Sequence, residues 1–190
     1  VSLGAYSVAS GSTSQAIGRD AKASGINSIA HGYNSLANGG SSIAIGKQSC
    51  STNSQAIAIG VKATGSGASS IAIGQCAQAT QLNAIASGHS ARATASGAIA
   101  VGVDSRSSQA NAAAIGASAN ASQKESVALG FSANASDVSA IAIGSRAVAS
   151  GASSFSAGNQ ANASGNQSVA IGSTAIGNKQ ATAVGAQAIA

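Results

Sequence analysis

The side chains most capable of chemistry are few and scattered along the chain. Its 190 residues include two histidines, two cysteines and four acidic residues. No acidic residue stands at a spacing that recurs with His31 or His89, as acid–base or nucleophilic catalysis would require. No glycine precedes a Lys-Ser or Lys-Thr pair, which a phosphate-binding loop needs. The sequence therefore predicts a protein that is not an enzyme and that has no cofactor or catalytic metal.

The composition is biased but not that of a disordered chain. Pro, Met and Trp are absent, aromatic residues make up 2% and charged residues 7%, while 44% of the residues are apolar. Ile and Val recur at a fixed phase, which a solvated linker has no reason to do. The net charge of +5 comes from nine basic and four acidic residues. These charges are too sparse for a nucleic-acid partner, and no apolar run is long enough to cross a bilayer.

One hexad, Ser41-Ser42-Ile43-Ala44-Ile45-Gly46, recurs with a fixed period and organises the chain. It returns in closely similar form at residues 69–74, 139–144 and 167–172. Its glycine recurs every 14 residues, thirteen times from Gly4 to Gly172. A period held without insertion predicts one small unit stacked on itself. We number the positions of each coil from this framework glycine, which is position 0.

Small residues at four positions of the coil define a narrow interior. Positions 3, 5, 10 and 12 carry Ala, Ser, Thr or Gly almost throughout, with Val184 expected as an exception at position 12. Such pairs, spaced by two, are typical of short strands whose alternate side chains face one interior. Turns are expected at the framework glycine and at pairs such as Ser24-Gly25, where glycine tolerates a positive φ. The predicted fold is all-β, a parallel β-roll of about 12–13 coils.

The outward positions of the two strands differ in character. Positions 4 and 6 are mostly polar, whereas positions 11 and 13 carry branched aliphatic residues. Left exposed, this aliphatic ladder would form an apolar strip far larger than a monomer normally shows. We therefore expect a closed homo-oligomer of two or three copies. The predicted interface consists of Ile43, Ile45, Ile57, Ile59, Ile71, Ile73, Ile99, Val101, Val127, Leu129, Ile141, Ile143, Val169 and Ile171.

The hexads resemble the head repeat of YadA-like trimeric autotransporter adhesins, which runs approximately Asn/Ser-Ser-Val-Ala-Ile-Gly-x-x-Ser/Ala. The similarity covers Val1 to Gly172. It implies a left-handed roll and a homotrimer whose Ile and Val strands face the three-fold axis. It also implies the surface of a Gram-negative outer membrane, and adhesion to host matrix proteins (collagen, fibronectin or laminin) or to cell-surface receptors.

The family's neck, stalk and membrane anchor do not occur in this sequence. Residues 1–190 are therefore expected to be head repeats from a longer surface protein, anchored only through a missing C-terminal part. The step from Gly172 to Gly185 is 13 residues, and Ile176-Gly177 replaces the residues usually found at positions 4 and 5. We expect residues 173–190 to form an irregular last coil.

His31 and the two cysteines depart from the repeat. His31 occupies position 13, which is aliphatic in most coils. At a three-fold axis, three copies could hold an anion, a water or a metal, although a neutral histidine hydrogen-bonded across the interface is simpler. Cys50 and Cys76 lie almost two coils apart, about 9.6 Å along the stack. A disulfide needs Cα atoms within about 7 Å, so we expect free thiols, with Cys50 on the polar face.

Three basic residues at position 4 outline a possible ligand face. Lys22, Arg92 and Arg106 could form a strip for an acidic or glycan partner, although a merely solvated face is the simpler explanation. The predicted function is a non-enzymatic adhesion module. Two alternatives stay open: an ice-binding β-solenoid, for which the regular Thr-x-Thr array is missing, and a structural spacer in a surface fibre.

Overall fold

The computed structural model describes residues 1–190 and contains strands and turns but no helix. The chain is a parallel β-solenoid of about 13 coils with 14 residues in each, which confirms the predicted fold class. It divides into two compact units, Val1–Gly97 and Ala98–Ala190. Each coil contributes one strand to each of two parallel sheets. We call them the aliphatic sheet, formed by odd-numbered strands, and the polar sheet, formed by even-numbered strands.

In the unit Val1–Gly97, seven strands belong to each sheet. The aliphatic sheet contains, in order of pairing, β1 (Ser2–Leu3), β3 (Gln15–Ile17), β5 (Ile29–His31), β7 (Ile43–Ile45), β9 (Ile57–Ile59), β11 (Ile71–Ile73) and β13 (Ile85–Ser87). The polar sheet contains β2 (Val8–Ala9), β4 (Lys22–Ala23), β6 (Leu36–Ala37), β8 (Cys50–Ser51), β10 (Thr64–Gly65), β12 (Gln78–Ala79) and β14 (Arg92–Ala93).

The unit Ala98–Ala190 repeats this arrangement. Its aliphatic sheet contains β15 (Ile99–Val101), β17 (Ala113–Ile115), β19 (Val127–Leu129), β21 (Ile141–Ile143), β23 (Phe155–Ala157), β25 (Val169–Ile171) and β27 (Thr182–Val184). Its polar sheet contains β16 (Arg106–Ser107), β18 (Asn120–Ala121), β20 (Asn134–Ala135), β22 (Val148–Ala149), β24 (Asn162–Ala163) and β26 (Ile176–Gly177).

The strand register equals the sequence period. Ala44 pairs with Ala58, which is 14 residues further along the chain. The backbone N–H of Ile43 donates to the carbonyl of Ala56 at 2.9 Å, and that of Gly46 donates to the carbonyl of His31 at 2.8 Å. Because like positions align, every feature of one coil becomes a row along the sheet.

The interior of the roll is filled by alanine and serine, with glycine at Gly65 and Gly177. Ala44 and Ala58 are fully buried, and no fully buried side chain is larger than serine. Burying one methyl contributes about 0.8 kcal/mol. The interior therefore stabilises each coil modestly, and its narrowness forces every larger aliphatic side chain onto the outside.

Three residues per coil have a positive φ, and none of them is the glycine predicted at position 7. The positive φ falls at the framework glycine, as in Gly46 (φ 127°), at position 2, as in Gln48 (φ 58°), and at position 9, as in Ser41 (φ 56°). The prediction that the glycine of Ser24-Gly25 supplies it was wrong. A Cβ atom on Gly25 would lie 2.0 Å from the carbonyl oxygen of Gly39, so close stacking of the second turns is what glycine permits there.

The short last coil keeps its strands in register. β25 still pairs with β27, because Ile171 lies opposite Val184, and β26 still pairs with β24. The last coil is one residue shorter than the others, and the shortening lies in the turn between β26 and β27. Val184 is consequently 65% exposed on the outer face, while Ala183 fills the interior at 3% exposure. The expectation that Val184 faces the interior was wrong for this reason.

Candidate interaction surfaces

The outward face of each aliphatic sheet is a ladder of branched side chains. In the strands with the sequence Ile-Ala-Ile, such as β7, the residue at position 11 is half-buried and the one at position 13 is exposed. Ile45 is 39% exposed although it lies between His31 and Ile59 of the adjacent strands. Ile73 is 42% exposed although it lies between Ile59 and Ser87. Every residue of the predicted interface lies on this face and is half-buried or exposed. In a single chain the ladder has nothing to cover it.

His31 interrupts the ladder. It lies on β5 between Ile17 and Ile45, which are its partners in the neighbouring strands. Its Nε2 atom is buried and has no hydrogen-bond partner within the chain. A buried polar atom without a partner costs free energy, so this coil is less favourable than one with isoleucine at the same position.

The three basic residues predicted as a ligand face are exposed on the polar sheets. Lys22 and Arg92 each begin a strand of the unit Val1–Gly97, and Arg106 begins a strand of the unit Ala98–Ala190. Arg106 lines an open cleft of about 300 Å³ together with Asp104, Ser118, Ala119 and Asn120. Asp104 forms no ion pair with Arg106.

A cluster of two cations around Tyr33 was not predicted from the sequence. Arg19, Tyr33 and Lys47 occupy position 1 of three successive coils. The Arg19 guanidinium lies 4.6 Å from the Tyr33 ring centroid, and the Lys47 Nζ atom lies 5.9 Å from it. The Nε atom of Arg19 also lies 3.4 Å from Oδ2 of Asp20. The signal that could have revealed the cluster is the 14-residue spacing of its three members.

The cysteines are free, which confirms the prediction made from their separation. Cys50 is half-buried on the outward face of the polar sheet, and burial raises the pKa of its thiol. On the same kind of face in the unit Ala98–Ala190, the Nδ2 atom of Asn120 donates to Oδ1 of Asn134 at 2.9 Å. Polar side chains of successive coils therefore bond to each other along the stack.

No three His, Cys, Asp or Glu side chains of the chain lie together as metal ligands would. The structure also has no helix of the length and apolarity needed to span a membrane.

A solenoid of 14-residue coils with an Ala/Ser interior and an aliphatic outer ladder defines a narrow class of protein. The family model for the YadA head domain repeat matches residues 9–35, 23–49, 51–77, 79–105, 107–133, 121–147 and 149–175. The chain belongs to the YadA head domain family. This family is typical of the adhesin-like heads of trimeric autotransporters, which are as a rule not enzymes. No curated protein shows significant similarity to the chain.

Proposed function

We propose that the chain is the non-enzymatic adhesive head of a homotrimeric autotransporter adhesin on the surface of a Gram-negative outer membrane. The observation that carries this proposal is the uncovered aliphatic ladder, whose outer members such as Ile45 and Ile73 are about two-fifths exposed. The family supplies the number of copies, since its heads assemble as trimers. The proposed interface comprises the fourteen Ile, Val and Leu residues named above.

Burial of the ladder supplies the free energy for assembly. Fully burying one Ile, Val or Leu side chain contributes about 1.5–3 kcal/mol, which is about two to four times the contribution of one interior alanine methyl. Each chain presents many such side chains, already partly covered by their neighbours along the sheet. The trimer therefore completes the hydrophobic core that the narrow interior of one chain lacks.

Adhesion is proposed to take place on the polar sheets, which face away from the ladder. We propose that the partners are extracellular matrix proteins (collagen, fibronectin or laminin) or receptors on host cells, with Lys22, Arg92 and Arg106 among the contacts. The polar face is repetitive, and the cleft beside Arg106 is open to solvent. Binding is consequently expected to be spread over many coils.

The proposal is tested by binding of the purified trimer to immobilised collagen, fibronectin, laminin and host cells. We expect saturable binding to at least one of these surfaces. The single substitution Arg92→Ala should weaken it less than about fivefold, because one exposed charge contributes less than about 1 kcal/mol. A trimer that binds none of them would contradict the adhesive function and would favour a spacer in a surface fibre.

A further inference from the structure

The charged side chains of the unit Val1–Gly97 are confined to one edge. All of its Lys, Arg and Asp residues occur at positions 1–4, which form the first turn and the start of the polar strand. We call this surface the first-turn edge. Five of these residues are basic and one is acidic: Arg19, Lys22, Lys47, Lys62 and Arg92, with Asp20. The second turns of the same unit carry no charged side chain.

We infer that the first-turn edge of this unit is a docking surface for a linear sulfated polysaccharide. This inference deepens the proposed function, on which it rests, by naming a class of ligand and the residues that contact it. It follows from the arrangement of the cations, from the cluster around Tyr33 and from the position of a second tyrosine.

The five cations form a row and not a pocket. All five side chains are exposed, and they belong to the coils that begin at Gly18, Gly46, Gly60 and Gly88. Successive parallel strands lie about 4.8 Å apart, so the row extends over about 24 Å. A small anion would contact one or two of these residues. An extended chain with an anionic group on each sugar can contact all of them at once.

Tyr33 orders the first part of the row. Arg19 lies one coil before it and Lys47 one coil after it, and both cations approach the tyrosine ring. Holding these long side chains against the ring reduces the conformational entropy that they would lose on binding. The guanidinium of Arg19 can also donate two parallel hydrogen bonds to a sulfate or a carboxylate.

Tyr6 adds a platform for a sugar ring. It occupies position 2 of the first coil, is 82% exposed and therefore lies on the same edge as the cations. Both tyrosines of the chain are thus on this surface. A polysaccharide combines the two features that the edge recognises, since its sugars present C–H groups to an aromatic face and anionic groups to the cations.

Other polyanions fit the edge less well. A single-stranded nucleic acid calls for several accessible aromatic side chains to stack its bases, whereas Tyr33 is already engaged and only Tyr6 is free. An anionic bilayer calls for large apolar side chains that insert between the lipids. The exposed aliphatic residues of this edge are two valines, Val8 and Val61, so it offers little apolar surface for insertion.

The test is titration of the trimer with heparin, at several salt concentrations. Replacing two cations of the row, in Lys47→Gln/Lys62→Gln, should weaken binding about tenfold, as expected for two exposed charge contacts. The matched control, Lys124→Gln/Lys179→Gln, removes the same charge from second turns of the other unit and should change the affinity less than twofold. Asp20→Asn should strengthen binding, because it removes the only acidic group of the edge.

Several outcomes would overturn the inference. They are an absence of heparin binding, an equal loss in the two double variants, or tighter binding of duplex DNA or of phosphatidylserine vesicles than of heparin. Desulfated heparin and hyaluronan distinguish sulfate from carboxylate recognition, and we expect both to bind more weakly than heparin. Binding by desulfated heparin as tight as by heparin would contradict a sulfated ligand.

The two proposals fail separately. A trimer that binds matrix proteins but not heparin would leave the proposed function intact and remove this inference. A chain that binds heparin as a monomer would retain the edge and contradict the trimeric head. Sedimentation of each variant, in parallel with its titration, separates these cases.

Discussion

A Cβ atom added to Gly46 would lie 2.5 Å from the carbonyl oxygen of Gly60, its counterpart one coil further along. Gly46 also has φ of +127°, a conformation that side chains strongly disfavour. The framework glycine is therefore fixed by two independent causes, its own backbone conformation and the close approach of the next coil. Neither cause depends on the identity of any ligand.

Gly46→Ala should consequently lower the stability of the roll substantially. Backbone strain alone costs about 1–3 kcal/mol, and the steric overlap with Gly60 adds to it. The measurement is the thermal unfolding midpoint at one fixed protein concentration. Gly40→Ala is the matched control, because a Cβ there meets no atom within 4 Å and its φ is not left-handed. An equal loss in both variants would contradict this account of the framework glycine.

Buried serines should respond to alanine substitution in two different ways. The Oγ atom of Ser49 donates to the carbonyl of Gly46 at 2.9 Å. The Oγ atom of Ser42 is buried without a partner, and alanine stands at the equivalent position in Ala56. Ser49→Ala should cost about 1 kcal/mol of unfolding free energy, whereas Ser42→Ala should be neutral or stabilising. Urea denaturation of both variants measures the difference, and the reverse order would show that the hydrogen bond is not the cause.

His31→Ile should raise the unfolding midpoint of the assembled protein. The substitution removes a buried Nε2 atom that has no partner within the chain, and it restores the aliphatic ladder between Ile17 and Ile45. The expected gain is about 1–3 kcal/mol. His89→Ile serves as the control, because His89 is exposed in a first turn and should give little change. A loss of stability in His31→Ile would indicate that a partner chain or a ligand satisfies the histidine.

The features that the sequence predicted correctly are those repeated in every coil. The small residues at Ala44 and Ala58 required a thin interior, and the alternation of Ile43 and Ile45 with them placed the aliphatic side chains outside. Both inferences need only the alternation of side chains along a strand. Repetition turned a weak local signal into a specific one.

The features that the sequence did not reveal depend on local geometry or occur once. Glycine at position 7 tolerates a positive φ, so composition alone could not show that Gly25 serves close stacking and that Asn27 (φ 56°) takes the left-handed conformation. The deletion in the last coil could have fallen in a strand or in a turn, which decides the direction of Val184. The 14-residue spacing of Arg19, Tyr33 and Lys47 places them in one row, but it does not show that both cations approach the tyrosine ring.

The central claim is that the aliphatic ladder joins three copies of the chain, and sedimentation of Ile143→Asp tests it most directly. Ile143 is 36% exposed on the ladder, and a carboxylate there would be buried without a partner in a trimer. Val148→Asp is the matched control, since Val148 is half-buried on β22, the next strand along the chain, which belongs to the polar sheet. We expect the unsubstituted chain and Val148→Asp to sediment as trimers and Ile143→Asp to dissociate. A stable trimer of Ile143→Asp would contradict the assignment of the interface.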